Sequence, residues 1–572
     1  MFVLRNCCSQ ENMTALKNRS KQFGNYVGRP LEDYATYHLT ETSVWQGFGE
    51  DANDPVEMCL LHFVRRAADI GKSKVRGGEF VAEKGAKRFL ACLVPMAFDN
   101  CGKRVATEAL RALASWVRRF ESVKESLSQN DVVLKGIEQH LSLSDTTPET
   151  WDLRSASADL ASALVESDDG NNDAQRIEQT LNLTVTGVDS LVSLVGGGGE
   201  MEDTNTAVEA RTAAARALRH VDDDGTFKAL PALVKSLCRY SKRAGQSPPS
   251  ADFIFECARS LRTIVSSSQR ARSVFATDYG LVPDLLSFLE VNVESRTRTQ
   301  VLECLASLAE DQEYAQPSLL AKGAILAVTR VLHAHSARGQ RNTGDAVFVE
   351  EDAVFGAAAG CLANLCFGEL HQLAAQDALS KCDGIRVLTE ALADRVRLLR
   401  DHQKTTSLSI TGEKPLKAAV LAMANATRHH PENQRRAAHC GAIETLVALL
   451  GLRSLSSSPQ VLEFALGALV NLVDGAPDLA AKVRHHNGDQ ALQSLIPSLQ
   501  KGCTAAAYVA TLMAAVVDAQ PLHRRMANTL PPPPSSTYGP APPPPTPRTP
   551  SAATTSQLVR AKNSPFRRTS LW

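Results

Sequence analysis

A glycine followed at once by an apolar helix recurs along this chain, as Lys322-Gly323-Ala324-Ile325-Leu326, Asp383-Gly384-Ile385-Arg386-Val387-Leu388 and Cys440-Gly441-Ala442-Ile443-Glu444-Thr445-Leu446. An Ala/Leu-rich second helix follows each, over 357–366, 416–426 and 462–473. Units of this kind bury their apolar faces only by stacking on one another, so the fold must be an array. The step from Gly280 to Gly323 is 43 residues and from Gly441 to Gly488 is 47. Both fall in the range of two- and three-helix repeats, roughly 40–47 residues. Steps of 61 and 57 separate Gly323, Gly384 and Gly441, and polar inserts account for the excess. They lie at 196–206, 241–250, 336–351, 401–414 and 454–459, each between the glycine-led helix and the next. An insertion repeated at one joint of a unit predicts a row of loops along one edge.

The second helices are apolar on nearly every side, as in Leu462-Glu463-Phe464-Ala465-Leu466-Gly467-Ala468-Leu469-Val470-Asn471-Leu472. Such a helix is buried between neighbours. The small residues Ala357, Ala358, Ala359 and Gly360 allow close approach, and strand signals are almost absent. Lys plus Arg number 62 and so do Asp plus Glu, so no basic field points to nucleic acid. The 13 cysteines contain no CxxC pair. Several, including Cys238, Cys257, Cys304, Cys361 and Cys440, sit at apolar helical positions, as reduced thiols of a cytoplasmic or nuclear protein do. No apolar run reaches the roughly 18 residues of a membrane span.

The pieces 441–450 and 465–472 resemble the second and third helices of the armadillo-repeat family, and Pro431-Glu432-Asn433-Gln434 resembles its short link into a new unit. The resemblance extends from about residue 180 to 515 and implies a right-handed α-solenoid that binds other proteins. A finer resemblance, strongest in Leu302-Glu303-Cys304-Leu305-Ala306-Ser307-Leu308-Ala309-Glu310-Asp311, is to the small-GTPase GDP-dissociation stimulators. It implies a small GTPase as partner and promotion of nucleotide release. A proline-rich tail departs from that family's pattern.

Asn364, Asn425 and Asn471 occupy matching places on successive second helices. An amide offers both donor and acceptor to an extended main chain, so these three are the candidate partner-binding groove. The tryptophan that importin-like receptors carry four residues earlier is replaced by Gly360, Leu421 and Gly467, against a nuclear-signal receptor. His429-His430, His439-Cys440 and His485-His486 lack metal-ligand spacing and read as solvated loop histidines. Gly71-Lys72-Ser73 lacks the first glycine of a phosphate loop, and Asp222-Asp223-Asp224 reads as an acidic turn. No nucleophile–base pair stands out, so neither an enzyme nor a cofactor is expected.

Residues 1–142 read as divergent helical repeats with an aromatic loop at 21–55, and 143–175 as an acidic, partly disordered insert. The armadillo array is expected over 176–528. Beyond it, 12 of the 42 residues from Pro531 to Trp572 are proline, with five Lys or Arg and no Asp or Glu. Residues 529–572 are therefore expected to be a disordered, basic tail. Leu530-Pro531-Pro532-Pro533-Pro534 and Ala541-Pro542-Pro543-Pro544-Pro545 favour the polyproline II conformer that profilin, EVH1, SH3 and WW domains read. Thr546, Thr549 and Ser564 each precede a proline, and Thr569 and Ser570 follow Arg567-Arg568, so these five are candidate phosphorylation sites. The tail makes an adaptor the alternative function.

Overall fold

The computed structural model describes residues 102–165, 185–196, 205–220, 223–241, 249–339, 345–402, 413–452, 458–499 and 503–518, apart from a few single positions, with short helical pieces before 102. The tail motifs, the aromatic loop and the Gly71-Lys72-Ser73 stretch lie outside the described residues. The described residues are helical or in turns, with no strand among them. They fall into two compact units that divide after Lys322.

The first unit contains α1 (Lys103–Val117), α2 (Glu121–Ser128), α3 (Asp131–Leu141), α4 (Pro148–Val165), α5 (Val185–Gly196) and α6 (Asn205–Ala217). It continues with α7 (Asp223–Ser241), α8 (Pro249–Ser267), α9 (Gln269–Thr277), α10 (Leu281–Phe288), α11 (Ser295–Ala309) and α12 (Ala315–Ala321). The second holds α13 (Ala324–Gly339), α14 (Asp345–Leu365), α15 (Gln372–Lys381), α16 (Gly384–His402), α17 (Glu413–Thr427) and α18 (Pro431–His439). It ends with α19 (Ala442–Leu450), α20 (Pro459–Val473), α21 (Pro477–His485), α22 (Gly488–Leu495) and α23 (Thr504–Asp518).

From α15 onward the order is strict: a short helix, a glycine-led helix, then an apolar one. The apolar third helices stack in sequence, α14 on α17 on α20 on α23, while α13, α16, α19 and α22 form the parallel row. In the first unit the same ladder runs α1, α4, α6, α8, α11, beside α3, α5, α7 and α10. Burial follows the sequence pattern. In α20, Leu462, Phe464, Leu466, Leu469 and Leu472 are all buried, together with Ala465, Gly467 and Ala468 between them.

The recurring glycine serves two purposes. Gly323 and Gly441 adopt φ of 82° and 92°, a left-handed turn that side chains disfavour. At the other two junctions Asp383 and Asn487 take the left-handed position. The glycine that follows is required by space, since a Cβ on Gly384 would meet Leu379 at 2.3 Å and one on Gly488 would meet Val483 at 2.4 Å.

Three expectations are corrected here. Within the supposed insert at 143–175, Pro148–Val165 is α4, an interior helix with Trp151, Leu153, Leu160 and Leu164 buried. Its acidic residues disguised it, because Asp152 and Asp159 face cations on neighbouring helices. The insert at 336–351 is mostly helix: α13 runs to Gly339 and α14 starts at Asp345. The long 61- and 57-residue steps thus come partly from long helices, α14 having 21 residues and α16 having 19. Pro431-Glu432-Asn433-Gln434 is no link but the first turn of α18, where Pro431 needs no N–H partner.

Candidate binding surfaces on the third helices

The two units tie their third helices together by different chemistry. On α1 and at its C-cap, Arg104, Glu108, Arg111, Ser115 and Arg118 lie outside the core, spaced four, three, four and three apart, which puts them on one face. Asp152, Ser155 and Asp159 do the same on α4, and Glu209, Thr212 and Arg216 on α6. Arg118 makes a two-pronged contact to Asp159 at 2.6 and 3.0 Å, and Arg216 reaches the same carboxylate from the other side at 3.1 Å. Arg216 also approaches Glu256 of α8 at 3.4 Å, and the buried Arg219 closes on Glu256 as well. One step on, Arg262 of α8 pairs with Glu303 of α11 at 2.9 Å. Arg296 bridges back to Asp252 at 2.7 Å and lies 4.8 Å from the Phe255 ring.

A continuous polar stripe therefore crosses five successive third helices. Glu209 and Arg259 point out from it with no ionic partner among the described residues. Sequence reading missed this stripe because it looked for amides. Its signal was a cation followed by an acid one unit later, as in Arg118 and Asp159, Arg216 and Glu256, Arg262 and Glu303.

In the second unit the charges of the third helices gather in the first half of α14 and the first turns of α17, and α20 carries only Glu463. A Cβ on Gly356 of α14 would stand 3.0 Å from the Pro415 backbone of α17. Amides replace ions. The Nδ2 of Asn425 donates to the Ala363 carbonyl at 2.9 Å, and that of Asn471 donates to the Ala424 carbonyl at 2.8 Å. Asn425 is only 2% exposed, so the reading of an open binding amide there is corrected: its donor is spent on the preceding helix. Asn471 and Asn364 are half-buried.

A second set of amides, absent from the sequence reading, closes the helix ends. Gln376 of α15 donates to the Asn425 and Arg428 carbonyls, each at 2.8 Å, and Gln434 of α18 donates to the Asn471 carbonyl at 2.8 Å. These carbonyls are the orphan acceptors at the ends of α17 and α20. Asn433 adds donors to the Gln376 and Ala426 carbonyls. The detectable signal was a glutamine eight or seven residues before Gly384 and Gly441.

His430 is likewise no solvated loop residue. It is buried, its Nδ1 accepts from the Asn433 N–H at 3.1 Å as the cap of α18, and its Nε2–H therefore donates to Asp377 at 3.0 Å. Asp223 and Asp224 open α7 rather than forming a turn. No group of three potential metal ligands occurs among the described residues. None of the described cysteines is in a disulfide, and burial raises the thiol pKa of Cys304 and Cys366 to about 12, which makes these two packing residues. No described helix is long and apolar enough to cross a membrane.

No family profile matches the chain, and no curated protein matches it in sequence. Solved structures do match in shape. An engineered protein superposes with a TM-score of 0.59 at 20% identity, over 86% of this chain and all of its own. The SYS-1/POP-1 complex gives 0.52 at 11% identity, over 91% of this chain and 89% of the matched one. A designed armadillo repeat protein matches half of this chain at 20% identity, with a TM-score of 0.37. The fold is an armadillo-type, right-handed α-solenoid. Identities this low establish architecture and nothing finer.

Proposed function

We propose that this chain is a non-catalytic, cytoplasmic protein-binding scaffold that holds its partner along the third helices of the first unit. The observation that carries the reading is the polar stripe from α1 to α11, where residues point outward with both charges and hydrogen-bonding groups. Such a surface suits a polypeptide of mixed charge, because each partner side chain finds an opposite sign within one helix spacing. A solved structure of the same fold, that of SYS-1/POP-1, is itself a complex.

The finer identity is a small GTPase whose nucleotide release the scaffold promotes or which it chaperones. It rests on the resemblance in Leu302–Asp311, a segment that includes Glu303 of α11, the partner of Arg262 in the stripe. The test is GDP release from a panel of small GTPases, run with the parent chain and with a Glu209→Lys/Arg259→Glu variant. Accelerated release by the parent and at least a tenfold loss in the variant are expected. Unchanged release across the panel removes the GTPase reading. An unimpaired variant removes the stripe as its site. The adaptor alternative draws on the two proline runs of the tail. It fails if deleting 530–572 leaves binding to profilin, EVH1, SH3 and WW domains untouched.

A further inference from the structure

The short helices of the second unit carry a cleft of about 630 Å³ that the third-helix site does not use. It runs across α15, α18 and α21, and Ile385, Cys440 and Leu479 are among the residues that line it. Its rim is charged in both signs, and the pairing is uneven. Arg386 is taken up by Asp383 and Glu390. Arg436 is taken up by Glu432 at 2.9 Å and by the Ser380 carbonyl at 2.8 Å. Arg435 on α18 and Lys482 on α21 form no ion pair among the described residues, and His439 stands one turn beyond Arg435 on the same face. Of the acids that line the cleft, Asp478, at the start of α21, forms no ion pair among the described residues.

Two unspent cations and an imidazole on facing walls call for a dianion, with the free carboxylate of Asp478 calling for a cation beside it. The chain supplies a segment of that composition. Arg567-Arg568-Thr569-Ser570 is purely cationic as synthesised and offers no anion to Arg435 and Lys482. A protein kinase that moves the terminal phosphoryl group of ATP to the Thr569 or Ser570 hydroxyl, releasing ADP and a proton, changes the sign. The phosphate adds about −1.5 to −2 charges and three acceptor oxygens.

We propose that this cleft is the docking site of the chain's own C-terminal segment, residues 567–572, once Thr569 or Ser570 is phosphorylated. The phosphate lies between Arg435 and Lys482, which bind it by charge-assisted hydrogen bonds, and Arg567 or Arg568 meets Asp478. Reach is sufficient: residues 519–566, which join α23 to this segment, span up to roughly 160 Å when extended. Docking of this kind makes the tail's availability to other proteins depend on kinase activity.

The experiment adds a synthetic peptide of residues 560–572, read by anisotropy of an attached fluorophore, to the full-length unphosphorylated chain. The peptide phosphorylated on Thr569 and Ser570 is expected to bind at least tenfold tighter than the unmodified one. Arg435→Glu/Lys482→Glu should remove that gain, while Arg259→Glu in the first unit should leave it. Both rim positions are exposed, so helicity by circular dichroism should be unchanged. Equal binding of the two peptides, or an undiminished gain in the double variant, overturns the proposal. So does equally tight binding of an unrelated phosphoserine peptide of the same net charge, which would make the cleft a general phosphate site.

Discussion

In the first unit Asp159 stands between Arg118 and Arg216, and Glu256 between Arg216 and Arg219, so neighbouring third helices are joined side chain to side chain. In the second, Asn425, Asn471, Gln376 and Gln434 reach main-chain carbonyls instead. The difference teaches how one architecture divides its labour. Ion pairs need long side chains, which leave polar atoms at the surface for a partner to exchange with. Amide-to-carbonyl bonds need short reach, and at Gly356 of α14 an added Cβ would stand 3.0 Å from the Pro415 backbone of α17. The third helices of the first unit therefore carry a charged stripe, and those of the second are joined through buried amides.

Three perturbations would break or sharpen this contrast, with amide hydrogen exchange resolving the two units. The largest effect is expected from Glu256→Ala. It leaves the buried Arg219 and half-buried Arg216 without their shared carboxylate, and unpairing a buried charge costs about 3 kcal/mol. Protection should fall across α6 and α8 and hold in α17 and α20. A loss below about 1 kcal/mol would mean that the pair is not a structural joint.

Next is Asn433→Ala, which removes two buried donors and leaves the Gln376 and Ala426 carbonyls short of a partner. A cost of about 2 kcal/mol, confined to the second unit and independent of salt, is expected. Marked salt dependence would contradict an amide-based joint.

The third concerns acid. His140, on α3, stacks on Phe98 at 5.5 Å and meets Ser157 of α4 at 3.2 Å, and burial lowers its pKa from 6.5 to about 4. The folded state keeps it neutral, while the unfolded chain takes up a proton below 6.5. Its contribution is therefore complete above pH 6.5 and drains away as pH falls toward about 4. By pH 4.5 the first unit should lose of order 2 kcal/mol from this source. His140→Phe should flatten that part of the pH profile. A profile unchanged by the substitution would assign the acid sensitivity to the carboxylates of the ladder.

Much of the array was legible. Gly323, Gly384, Gly441 and Gly488 marked real helix starts, and the apolar pattern of 462–472 marked a helix buried on nearly every side. What misled was polarity read without neighbours. The carboxylates Asp152 and Asp159 made α4 look like an acidic insert, although each answers an arginine on an adjacent helix. His430 looked solvated because its two partners, Asp377 and the Asn433 N–H, cannot be seen from its sequence surroundings.

Read alone, the sequence determined the helical character of the described residues, the stacking of repeated units and the starts of the helices led by Gly323, Gly384, Gly441 and Gly488. Those features follow from local periodicity and from the conformational demands of single residues, which act over a few positions. Only the tertiary structure decided which polar side chains are spent on holding the array and which are left for partners. Asn425 and Arg259 are both polar residues on third helices, yet one is locked against a carbonyl 62 positions earlier and the other faces outward. That distinction depends on what the next helix brings within about 3 Å, and no pattern along one strand of chain encodes it.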